Sequence, residues 1–100
     1  MGRARRFTSR REIGDAFPKL HADCDLPLDQ FNDLLGDYWL PKAEWVRCQL
    51  VDEHGRCNEP HGWGWLGELK GSGMVGFMGH DCADRHFRDD PRFAALFARS

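Results

Sequence analysis

The sequence predicts an α+β fold: N-terminal helices, then two small β-hairpins and a C-terminal helix around a structural zinc site. Three observations predict it. Apolar residues between positions 9 and 35 recur at helical spacing. After Leu40-Pro41 the pattern becomes strand-like, broken by turn residues at 52–55 and 71–73. Three cysteines and a histidine, Cys48, Cys57, Cys82 and His86, flank the second hairpin. A chain of 100 residues makes one domain. Such a domain buries only roughly 60–65% of its unfolded surface, so a bound ion can add stability that packing alone does not supply.

The elements follow in order. Residues 1–8 read as a flexible basic arm, and residues 9–40 as a helical N-terminal part. Ser9-Arg10-Arg11-Glu12 has the spacing of a capping box. A short helix follows with Ile13, Ala16, Phe17 and Leu20 as its stripe, kinked or restarted at Pro18. Asp25 offers an N-cap ahead of Pro27, and Leu28, Phe31, Leu34 and Leu35 predict a second helix over 27–35, stopped at Gly36. Residues 41–100 read as a zinc-binding ββα-type part, joined in one compact domain with 9–40 across a short link. Trp45, Val46, Cys48, Leu50 and Val51 form a β-rich run that turns at Asp52-Glu53-His54-Gly55. Cys48 and Cys57 are symmetric about that turn and can face one another. Trp63, Trp65, Leu66 and Leu69 then pair with Met74, Val75, Phe77 and Met78 across Gly71-Ser72-Gly73. Asp81 caps a helix near 82–89, and Arg92–Ala98 forms a last short one.

Cys82 and His86 lie four apart on a predicted helix, so they share one face. With Cys48 and Cys57 they make a Cys₃His donor set, which is four-coordinate and closed in structural zinc sites. His61 and His80 are alternates for one of the four. A helix N-terminus helps keep Cys82 as a thiolate. The plainer reading of the same residues is buried free thiols beside a core histidine. Disulfides and iron–sulfur ligation fit less well, given spacings unlike a cluster-binding run. Cys24 stands apart in an Asp-rich linker and reads as unliganded.

The order of ligand-bearing turn, hairpin and ligand-bearing helix start resembles a treble-clef zinc finger over residues 45–90. The first pair departs from that family, whose usual knuckle is Cys-x-x-Cys, whereas eight residues separate Cys48 from Cys57. The resemblance implies a structural Zn²⁺. Some nucleases use a related ββα unit with a catalytic histidine, for which His80 is the candidate. The Asn and the second metal-binding His expected there are not evident.

Charge is unevenly spread. Arg3, Arg5, Arg6, Arg10 and Arg11 precede any acid, whereas residues 12–37 carry Glu12 and six Asp against Lys19 alone. Asp29, Asp33 and Asp37 would share one face of the second helix, a candidate surface for a protein partner alongside Trp63 and Trp65. The favoured reading of those two rings is core over the metal, because so small a domain needs its large aromatics inside. No catalytic motif is present, so the expectation is a non-enzymatic, zinc-stabilised adaptor or regulator acting on a protein partner. Small proteins of this kind are common in phages and mobile elements. Nucleic-acid binding through the Arg-rich arm with Arg85, Arg88 and Arg92 is the alternative, opposed by a net charge of −2. No small-molecule substrate is evident. No stretch is long and apolar enough to span a membrane and no secretory signal is recognised, which points to the cytoplasm.

Overall fold

The computed structural model describes residues 5–98, and its central element is a four-stranded sheet. Its strands are β1 (Arg5–Phe7), β3 (Phe31–Trp39), β8 (Trp63–Leu69) and β9 (Val75–Gly79), in that spatial order. β1 runs parallel to β3, and β8 runs antiparallel to both of its neighbours, β3 and β9. Two small ladders flank it. β2 (Leu26–Pro27), β5 (Leu50–Asp52) and β6 (Gly55–Arg56) form one, and β4 (Val46–Arg47) with β7 (Pro60–His61) forms the other. The helices are α1 (Arg10–Ala16), α2 (His80–Phe87) and α3 (Ala94–Ala98).

The sheet is covered on both faces, because alternate residues of its strands enter different cores. Trp65 and Met78 point to a core with Cys48, Cys82, Ala83, Phe87, Phe93 and Phe97. Their neighbours Leu66 and Phe77 point the other way, to Phe7, Ile13, Tyr38 and Val46. Period-2 alternation therefore assigns α2 and α3 to one face and α1 to the other. Every residue of β9 is buried, which explains its unbroken apolar and glycine sequence.

The fold is α+β as expected, but strands dominate and the second N-terminal helix does not form. A 3₁₀ turn at Leu28–Gln30 leads straight into β3. The cause lies in the pairing with β8, whose register shifts between Phe31 and Asp33 and again between Leu34 and Gly36. Each bulge adds a residue to the strand and breaks period 2. Buried positions consequently fall at Phe31 and Leu34, three apart, which imitates a helical stripe. Gly36 lies inside the strand rather than after a helix. Asp29, Asp33 and Asp37 accordingly share no helix face. Asp37 is nearly buried and bound by Arg6, whose Nη2 donates to Oδ2 at 2.6 Å.

The basic arm is also more ordered than expected. Residues 5–7 form an edge strand, held by Phe7 in the core and Arg6 on Asp37. Arg3 lies outside the described residues. Ser9 caps α1, its Oγ accepting from the Glu12 N–H at 3.1 Å. Glu12 reaches past Ser9 to the Thr8 N–H at 2.8 Å. The helix stops at Ala16, two residues before Pro18, and neither kinks nor restarts. Both expected hairpins form, with Gly55 at φ 101° closing the first. α2 begins two residues earlier than expected, with Gly79 rather than Asp81 as N-cap. Asp81 sits in its first turn, where a carboxylate suits the helix dipole. α3 starts at Ala94, two residues after the expected Arg92.

Candidate metal centre

Three separate elements bring cysteines together. Cys48 lies between β4 and β5, where its N–H bonds the Glu59 carbonyl at 3.0 Å and its carbonyl accepts from Asn58 at 2.9 Å. Cys57 follows β6 on the returning arm, its N–H bonded to the Leu50 carbonyl at 3.0 Å. Asn58 then takes φ 57°, a left-handed conformation that asparagine tolerates, and turns the chain toward β7. Cys82 occupies the first turn of α2, packed over the sheet beside Met78. The three sulfurs lie within 4.8 Å of one another, and the Cys82 thiol donates to Cys57 Sγ at 3.4 Å. Cys48 and Cys82 are buried and Cys57 is exposed.

This cluster can hold a metal ion. Burial pushes the Cys48 and Cys82 thiols up, and for Cys82 the hydrogen bond with Cys57 and the neighbouring sulfur charges push further. Backbone hydrogen bonds from Leu50 and Gly79 pull Cys48 the other way. Three thiolates this close together would repel one another, and a divalent cation bound between them would offset that charge. Soft sulfur donors favour zinc or another thiophilic metal over magnesium or calcium.

Among the described residues, the donors this close together stop at three. His86 stands apart from the sulfurs, one helical turn beyond Cys82, with its Nε2 3.6 Å from Asp52 Oδ2. That nitrogen is buried and has no hydrogen-bond partner. His80 stacks on Trp63 with ring centroids 3.5 Å apart, and its buried Nδ1 is also without a hydrogen bond, 3.7 Å from Asp81. His61 is engaged at both nitrogens. Its Nδ1 contacts the Glu59 carbonyl at 3.0 Å, which can only accept, so Nδ1 carries the proton. The Nε2 lone pair therefore takes the Tyr38 hydroxyl. Burial lowers the His61 pKa, in keeping with a neutral ring. Cys24 lies apart from the cluster, its thiol against the His21 carbonyl at 3.5 Å.

A cleft of about 550 Å³ opens beside the cysteines, which form part of its wall. Trp39, Trp45, Trp63, His80 and Arg85 line the rest of it, together with the β7 region. Trp39 and Trp45 are 45% and 46% exposed, the two large apolar side chains presented to solvent among the described residues. Sequence reasoning singled out Trp63 and Trp65 instead. Trp63 is sandwiched between Trp39 and His80, and Trp65 is buried against Phe97. The signal available for Trp39 and Trp45 was position: both flank the Leu40-Pro41 connection, where large rings seldom find cover on both faces.

The expected arginine surface is largely spoken for. Arg88 pairs with Asp84 at 2.8 Å and Arg92 with Asp90 at 2.9 Å, as Arg6 does with Asp37. Arg85 is exposed at the cleft. No helix among the described residues is long and apolar enough to cross a membrane. Comparison of the chain with family models, with curated proteins and with solved structures gave no match in any of the three.

Proposed function

We propose that this chain is a small zinc-stabilised binding protein that acts on a protein partner, in the manner of an adaptor or regulator. The single observation that supports it best is the convergence of Cys48, Cys57 and Cys82 beside an aromatic cleft. Zinc takes three thiolates and one imidazole in a closed structural site. His86 is the best fourth donor. It shares a helix face with Cys82, one turn further along α2. His80 is two residues from Cys82 and therefore on another face of α2, and His61 has no free lone pair. We read the hairpin and helix start as a divergent treble clef with a widened first ligand pair, on the order of its ligand-bearing elements.

Partner binding falls to the cleft rim. Exposed tryptophan anchors interface hot spots, and Trp39 and Trp45 flank one opening. Nucleic-acid binding is the weaker reading, since Arg6, Arg88 and Arg92 are held by carboxylates that phosphate would have to displace.

The test is capture with the full-length chain as bait, compared with Trp39→Ala/Trp45→Ala. The expected outcome is a stoichiometric protein partner lost by the double variant, at roughly 100-fold weaker affinity or worse if both rings are hot spots. Its melting temperature should be unchanged. Undiminished capture by that variant would remove the cleft rim from the account.

A further inference from the structure

The carboxylate of Asp52 occupies an unusual position. It closes β5, at the turn that carries the chain on to Cys57. One oxygen is committed to the turn, Oδ1 accepting from the His54 N–H at 2.8 Å. The other, Oδ2, faces His86 Nε2 on α2 at 3.6 Å. Both side chains are largely enclosed, at 22% and 20% exposure. The His86 nitrogen that faces this oxygen is buried and lacks a hydrogen bond. A buried imidazole N–H needs an acceptor, and Asp52 offers the adjacent one. The neighbouring acid Glu53 differs: it is 85% exposed and pairs with His54.

We infer that Asp52 is a positioning residue for the metal centre: its carboxylate takes the His86 Nε2–H and turns the Nδ1 lone pair to the ion. The inference rests on the reading of His86 as fourth ligand given above. Its physical basis is general. A metal-bound imidazole carries its proton on the nitrogen away from the ion, and a carboxylate there fixes the tautomer, orients the ring and raises its basicity. Because Oδ1 is anchored in the turn, Oδ2 cannot swing freely, so the hairpin that delivers Cys57 also sets the orientation of the ligand on α2. Closure of the site from its two arms is thereby coupled through one side chain.

The test is Co²⁺ binding to the full-length chain, followed by its visible spectrum and by chelator competition. Asp52→Asn is the informative variant. It keeps the oxygen that accepts from His54, and so the turn, while removing the charged acceptor facing His86. The expected result is a roughly 10–100-fold loss of metal affinity. The spectrum at saturation should remain that of three sulfurs and one nitrogen. Glu53→Ala should bind like wild type. In a His86→Ala background, Asp52→Asn should cost nothing further, since the ring through which it acts is gone. An equal loss in both backgrounds would mean that Asp52 works through the turn alone and would overturn the inference, as would wild-type affinity in the single variant. Failure of the wild-type chain to take up Co²⁺ would overturn the metal reading itself and this inference with it.

Discussion

Gln49 is the residue on which most of the rear architecture converges, and nothing in its sequence context announces it. It is fully buried, and its side-chain amide donates to the His21 and Cys24 carbonyls at 2.7 and 2.6 Å while accepting from the Phe77 N–H at 2.7 Å. Three segments distant in sequence are thus tied at one point beside Cys48. Gln49→Ala orphans the buried Phe77 N–H and two carbonyls. The expected cost is about 3 kcal/mol, which would lower the melting temperature by roughly 12–24 °C in a domain of this size. Calorimetry checks it, and a shift of only a few degrees would show that water replaces the amide. His61 gives a second prediction at this scale. Burial lowers its pKa in the folded state, so the unfolded chain binds its proton more readily. Its contribution to stability is full above the unfolded value of about 6.5 and is lost as pH falls below it toward the folded pKa. His61→Gln should flatten the acid side of the stability profile, measured by urea unfolding between pH 5 and 7.5. A profile with unchanged slope would assign the acid sensitivity to other groups.

Elements were legible where local signals agreed with the tertiary pattern. The capping box at Ser9, the turn at Gly55, the β8–β9 hairpin and the helix after Gly79 all carry short-range chemistry that the fold retains. β3 was not legible, because its two bulges place buried residues at a spacing that belongs to helices. Only knowledge of its partner β8 resolves that ambiguity, and the partner lies thirty residues away. β1 was hidden for a similar reason: three arginine-rich residues become a strand because Asp37 and the core pocket for Phe7 await them. Of the candidate site, the cysteines were legible from spacing, since turn and helix start place them. The cleft was not, because its rim comes from connections between elements. The β8–β9 contact supplies a prediction at this scale. A Cβ at Gly64 would meet the Met78 carbonyl oxygen and the Tyr38 hydroxyl. Gly64→Ala should therefore splay the strands beneath the His61–Tyr38 pair, at a cost of about 1–3 kcal/mol. Hydrogen exchange at β9 amides would register it, and wild-type protection there would show that the strands absorb the methyl group.

Across the whole molecule, the front and rear of the chain share one sheet, since β3 pairs with β8 along most of its length. A radius of gyration of 12.3 Å agrees with one compact unit for about this length. One face is closed by α1 and a conventional apolar core around Tyr38 and Phe77. The other is closed by α2 and α3, and its outer margin runs through Cys48 and Cys82 to the exposed Cys57. On the second face, a metal ion held by the three sulfurs would join the β5–β6 hairpin to α2. Removal of that ion should loosen α2 and the cleft together while leaving α1 and β1 in place.

Native mass spectrometry of the protein purified without an affinity-metal step tests the metal centre most directly. The account predicts a single species carrying one zinc ion, reduced to the bare chain mass by Cys82→Ser. A wild-type chain that shows the polypeptide mass alone, with a melting temperature indifferent to chelator, would contradict it.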